Sequence, residues 1–140
     1  MSTQPPSMPL SDSDYRRLLE LRTGLRRFLK WSGDRARASG LTPTQHQLLL
    51  AIRGHPESQD PTVSDLAEQL QLRHHSTVEL IDRAERDGLV TRETDPTDAR
   101  VVRLHLTSEG NTKLATLSEQ HVDELNRLAP RMRELWAGLE

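Results

Sequence analysis

The chain has 140 residues, of which 34% are hydrophobic, and a formal net charge of −2. Its length suits one small domain, and no run of 18 apolar residues is present to span a membrane. The absence of cysteine excludes disulfides, thiol nucleophiles and cysteine-based redox sensing, and is what a reducing cytoplasm would favour.

Residues 1–10, with three prolines, read as a flexible tail. Ser11 or Ser13 can cap a helix running from about Asp14 to Ala38. Leu18, Leu21, Leu25 and Phe28 or Leu29 form its apolar stripe, and Gly40 ends it. The Arg and Lys residues of this helix read as a solvated or salt-bridged face. Thr42 and Pro43 open a second helix with Leu48, Leu49 and Ile52 inward and His46 as a core histidine. Residues 55–61 are a loop. Thr62 with Asp65 three residues on is a capping-box signature, followed by Val63, Leu66, Ala67 and Leu70 on one helix face.

A short break at Gln71-Leu72-Arg73 separates this helix from the next, about 74–87, with Val78, Ile81 and Ala84 on its buried side and Gly88 closing it. Its start has two readings. Either it begins at His74, or Ser76 and Glu79 cap it and leave both histidines in the turn. Leu89–Thr94 reads as a strand, and Asp95-Pro96 as a turn. Val102, Leu104 and Leu106 alternate with Arg103 and His105, the period of a half-buried second strand. Thr107-Ser108 then precedes a long helix carrying Leu114, Leu117, His121, Leu125 and Leu128. Pro130 is expected to break or kink it. Met132, Leu135, Trp136 and Leu139 would form a short terminal amphipathic helix.

Helix, turn, helix and two-stranded hairpin is the order of a winged helix-turn-helix. The charge balance runs mildly against nucleic acid: residues 73–103 hold six Arg against seven Asp or Glu. Affinity would then come from placement, with Arg73, Arg83, Arg92, Arg100 and Arg103 outward and carboxylates paired or turned away. Catalysis is not indicated. There is no Gly-rich phosphate loop after a strand, no Ser-His-Asp spacing and no His-Glu-x-x-His. No catalytic residue, metal site or cofactor is therefore assigned. Adjacent His74 and His75 diverge by about 100° on a helix and cannot readily share an ion. A metal-responsive protein using His46, His55, His105 or His121 with carboxylates is the minor alternative. A winged-helix protein-interaction module with little DNA binding is the other.

Three patterns in order resemble the MarR family of bacterial transcriptional regulators. They are Thr62-Val-Ser-Asp-Leu-Ala67; Asp82-Arg83 followed by Gly88-Leu89-Val90; and Asp95-Pro96, Asp98, Arg100 followed by Leu104, Leu106, Thr107 and Gly110. The chain departs from the family pattern at Gln71, where Gly is common, at Arg73, at the His74-His75 pair, and at Ala99. The resemblance implies a mainly α fold with a small β-wing: a single domain over 1–140. Residues 11–39 and 108–140 would be dimerisation helices, and 42–107 the winged helix-turn-helix DNA-binding lobe. It further implies a homodimer on double-stranded DNA, acting as a repressor. Arg73, His74, His75, Ser76, Thr77, Glu79 and Arg83 would contact the major groove. Arg100, oriented by Asp98 and flanked by Arg103, would enter the minor groove. Phe28, Trp31 and His46 would border a cleft for a small-molecule effector.

Overall fold

A computed structural model describes residues 9–139. Most of the tail expected at 1–10 lies outside the described residues. The elements are α1 (Asp12–Ala38), α2 (Pro43–Arg53), α3 (Val63–Leu70), α4 (His74–Arg86), β1 (Val90–Thr94), β2 (Val102–Leu106) and α5 (Ser108–Ala137). They form two compact units. One comprises residues 32–121; the other comprises residues up to 31 together with those from 122 on. No helix among the described residues is long and apolar enough to cross a membrane.

The helix ends follow local chemistry. Ser11, not Ser13, caps α1, because Asp14 sits three residues on. The Asp14 N–H donates to Ser11 Oγ at 3.1 Å and the Ser11 N–H to Asp14 Oδ2 at 2.9 Å. Gly40 takes a positive φ of 81°, and the Leu41 N–H closes back on the Ala36 carbonyl at 2.9 Å. Thr42 and Gln45 form a reciprocal capping box at α2. Gln45 is itself buried, and its Nε2 donates to Asp87 Oδ2 at 2.8 Å, tying the start of α2 to the end of α4. Thr62 and Asp65 cap α3 in the same way. That helix ends at Gln71, which adopts φ 56°. A left-handed position of this kind favours glycine, which is the physical reason glycine suits the site.

Helix α4 begins at His74, so the first of the two readings holds. Arg73 is its N-cap and supplies no side-chain cap. The Thr77 N–H reaches the Arg73 carbonyl at 3.0 Å, and Thr77 Oγ1 donates to the same oxygen at 2.9 Å. Ser76 and Glu79 therefore lie inside the helix, and Glu79 is not a cap. Thr77, Ile81 and Ala84 form the buried stripe, and Val78 is only half-buried.

The wing is an antiparallel pair in which Val90 faces Leu106, Arg92 faces Leu104 and Thr94 faces Val102. Leu104 is fully buried, and its N–H donates to the Pro61 carbonyl at 2.9 Å. This bond anchors β2 to the segment entering α3. The core of this unit is built from Leu48, Leu49, Leu66, Ile81, Leu89, Leu104 and Leu117.

Pro130 does not break α5, which runs unbroken through it to Ala137. Proline removes one backbone donor, but the flanking turns are held from outside. Arg131 binds Glu20 of α1 through Nε at 2.6 Å and Nη2 at 2.9 Å, and Glu134 at 3.0 Å. Leu135 is buried. The expected separate terminal helix is thus the last part of α5.

Candidate nucleic-acid interface

Helix α4 presents one face to solvent from its first residue. Arg73, His74, His75, Glu79 and Arg83 are exposed and Ser76 is half-buried. Thr77 is fully buried and bonded to the backbone, so it cannot reach a base, contrary to expectation. His75, Glu79, Arg83 and Arg86 follow one another at i, i+4, i+8 and i+11 and share a face. Arg86 is exposed and was missed from sequence; that spacing is the signal that would have found it.

Two further arginines expected to face outward hold the lobe together instead. Arg92 pairs with Asp82 and with Glu85, the latter at 2.8 Å, and so fastens β1 to α4. Arg103 donates through Nε to Asp95 Oδ2 at 2.7 Å, through Nη1 to the Asp60 carbonyl at 2.8 Å, and through Nη2 to Gln59 Oε1 at 2.9 Å. With all three nitrogens engaged and 21% of its side chain exposed, it straps the wing to the loop before α3. Register explains this: Arg103 is bridged to Thr62, on the side of β2 that meets that loop.

The wing turn is organised by Asp95. Its Oδ1 accepts from Thr97 Oγ1 at 2.7 Å, Thr97 N–H at 2.8 Å and Asp98 N–H at 3.1 Å. The Thr97 hydroxyl and the Arg103 guanidinium hold its carboxyl far below the usual carboxylate range. Asp98 in turn grips Arg100, accepting from Nε at 3.1 Å and Nη2 at 3.2 Å. These bonds, with one from the Arg100 N–H, lower the Asp98 carboxyl as well. Arg100 nevertheless leaves 90% of its side chain exposed. The result is an oriented cation at a hairpin tip.

Most carboxylates of 73–103 are engaged by partners within the lobe, although Glu79, Glu85, Asp87 and Glu93 stay exposed beside Arg73, Arg83, Arg86 and Arg100. Asp82 and Glu85 are spent on Arg92, Asp87 on Gln45, and Asp95 on Arg103. Asp98 is spent on Arg100, and Glu93 lies 2.5 Å from His105 Nε2. Among the described residues, that leaves Glu79 as the one carboxylate of the stretch without such a partner. Arg73, Arg83 and Arg86 carry no ion pair among the described residues and stay exposed.

The histidines do not converge on a metal. His105 contacts Asp60 through Nδ1 and Glu93 through Nε2, each at 2.5 Å. Its two nitrogens point apart, so the carboxylates cannot share an ion on one side of the ring. No group of three His, Cys, Asp or Glu suited to a metal occurs among the described residues.

His46 is buried in α2, its ring centroid 4.8 Å from that of His121. Burial, and then the neighbouring imidazole, push its pKa down. His121 Nε2 lies 2.6 Å from Ser32 Oγ, and its Nδ1 lies 2.7 Å from the Leu117 carbonyl. Phe28 and Trp31, half-buried in the other unit, stack at 5.9 Å.

A recognition helix exposed along one face beside a strapped two-stranded wing defines a winged helix-turn-helix protein. The family model described as MarR family matches residues 39–101. The HTH-type transcriptional regulator YsmB of Bacillus subtilis is 44% identical over 70 residues, covering 50% of this chain and 46% of that protein. The HTH-type transcriptional repressor MdtR of Bacillus subtilis is 32% identical over 74 residues, covering 53% and 46%. The matched stretch thus spans about half the length of these relatives. The M. tuberculosis transcriptional regulator MosR, solved in complex with DNA, superposes with a TM-score of 0.59 at 26% identity, covering 87% of this chain and 91% of that one. AbsC of Streptomyces coelicolor, described as a MarR family transcriptional regulator, gives 0.67 at 24% identity, covering 86% and 81%. Residues 39–101 thus match the MarR family, and the solved structures share the fold of the chain around them.

Proposed function

We propose that the chain is a transcriptional repressor that binds a pseudo-palindromic operator as a homodimer. The observation that carries the DNA reading is the sorting of charge. Six of the seven carboxylates between residues 73 and 103, all but Glu79, have a partner within the lobe, while Arg73, His74, His75, Arg83, Arg86 and Arg100 remain exposed. Arginine and histidine so placed neutralise phosphates and reach base edges. MosR, a relative of the same fold, is solved on DNA, and MdtR is named a repressor.

Dimerisation is supported by apolar surface in the terminal unit. Tyr15, Leu18, Leu19, Leu25 and Leu29 of α1 and Val122, Leu125 and Trp136 of α5 are all exposed, Leu29 to 67% and Trp136 to 68%. A face of this size on two helices is what a second copy covers. Two reading heads related by a two-fold axis would meet half-sites about one helical turn, roughly 10 bp, apart. Selection from random duplexes tests this: an inverted repeat of that spacing is expected, and enrichment of no sequence at low salt overturns the reading. Sedimentation should give twice the chain mass.

The effector reading rests on the stacked Phe28–Trp31 pair and on the family. Quenching of tryptophan fluorescence by small phenolic compounds, lost in Trp31→Leu, is its test.

A further inference from the structure

A cavity of about 390 Å³ opens between three elements of the reading head. Thr62, Val63 and Ser64 at the start of α3 line one side, His74 at the start of α4 another, and Arg100, Val101 and Val102 of the wing the third. Its two ionisable side chains of basic type, His74 and Arg100, come from elements 26 positions apart in sequence. Asp98 engages only Nε and Nη2 of Arg100, so Nη1 remains available. Neither the His74 imidazole nor the Ser64 hydroxyl has a partner among the described residues, and both residues are exposed. The one carboxylate at this end of α3, Asp65, is committed to the Thr62 N–H at 2.9 Å and lies 3.8 Å from His55.

We propose that this cavity is a seat for a single DNA backbone phosphate, and that His74 is a phosphate ligand rather than a base reader. The inference rests on the DNA-binding reading above and deepens it. On a duplex, a helix in the major groove and a wing in the adjacent minor groove are separated by one sugar–phosphate strand. A cavity walled by both elements therefore faces that strand, not a base edge. His74, Arg100 and Ser64 line it together and supply the donors a phosphodiester would accept from. His75, one position on and about 100° around the helix, points away from the cavity and is left to the groove. The two adjacent histidines thus divide positioning from reading.

The test uses the full chain and its selected operator, beside a scrambled duplex of equal length. His74→Ala should weaken binding to both duplexes by the same factor, about 3- to 10-fold for one hydrogen-bonded contact. The operator-to-scrambled ratio should not change, and the salt slope should fall by up to about 1. A methylphosphonate scan of the operator should find one uncharged linkage per half-site that weakens the wild type but does not weaken His74→Ala further. His75→Ala should instead lower the ratio. His74→Gln, with thermal melts of all variants, separates loss of contact from loss of fold. A changed ratio in His74→Ala, or equal sensitivity of wild type and variant to every methylphosphonate, overturns the phosphate assignment while leaving DNA binding intact. A wild type that binds neither duplex overturns both readings.

Discussion

Replacing Gly110 with alanine sets local propensity against packing, and the two predict opposite signs. Gly110 lies in the first turn of α5, where alanine is the better helix former by up to about 1 kcal/mol. By propensity alone the change would stabilise. A Cβ at Gly110, however, would sit 2.2 Å from the Leu89 carbonyl oxygen and 3.1 Å from its carbon. An ordinary contact is longer by about 1 Å, and the obstacle is backbone rather than the end of a flexible side chain. That carbonyl accepts the Thr107 N–H at 3.0 Å, and Thr107 Oγ1 donates to the adjacent Gly88 carbonyl at 2.6 Å. Leu89 itself is buried and leads directly into β1. Relief therefore means moving the first turn of α5 away from the base of the wing. Overpacking of this kind costs about 1–3 kcal/mol, and the backbone obstacle places it in the upper half. After the propensity gain, the net loss should be about 1–2 kcal/mol. For a chain of this size that is a fall in Tm of roughly 3–6 °C. Urea unfolding with linear extrapolation, at unchanged m, measures it. A variant as stable as the wild type, or more so, would refute the reasoning.

Gln71→Gly should stabilise by up to about 1 kcal/mol, because relief of the left-handed strain exceeds the added unfolded-state entropy; a lower urea midpoint would count against it. Arg103→Ala should cost about 2 kcal/mol of stability through its lost charged hydrogen bonds and speed amide exchange in β1 and β2, whereas Arg100→Ala should leave the melt unchanged and weaken operator binding by about 1–3 kcal/mol. Should Arg103→Ala melt like the wild type, the strap assignment fails. Because burial and His121 lower the folded pKa of His46, the unfolded chain binds the extra proton first. Stability should thus decline as pH falls below about 6.5 and level off once His46 also protonates in the folded state. His46→Leu should flatten that part of the urea-midpoint profile between pH 7.5 and 5.5; an unaltered profile would assign the proton elsewhere.

Features set by neighbours in the chain are legible in the sequence. Thr42 with Gln45 and Thr62 with Asp65 cap their helices within three residues, and Gly40 and Gly88 end theirs by taking positive φ. The alternation of Val102, Leu104 and Leu106 marks a strand, and Asp95 closes the turn onto Thr97 and Asp98. All of these are interactions over a few residues, so the order helix, turn, helix, wing follows from sequence. Tertiary structure alone decided which side chains of the same chemical type face outward. Arg92 and Arg103 look like Arg83 and Arg100 in sequence, but strand register turns them toward Asp82, Glu85 and Asp95. Thr77 looks like a polar contact at the head of α4, but packing turns that side of the helix inward and buries it. Pro130 reads as a break or a kink, and of these the break does not occur: the Arg131–Glu20 pair, 111 positions apart, and the burial of Leu135 accompany an unbroken helix. In each case the deciding partner is remote in sequence, and a local pattern carries no information about a contact that only folding creates.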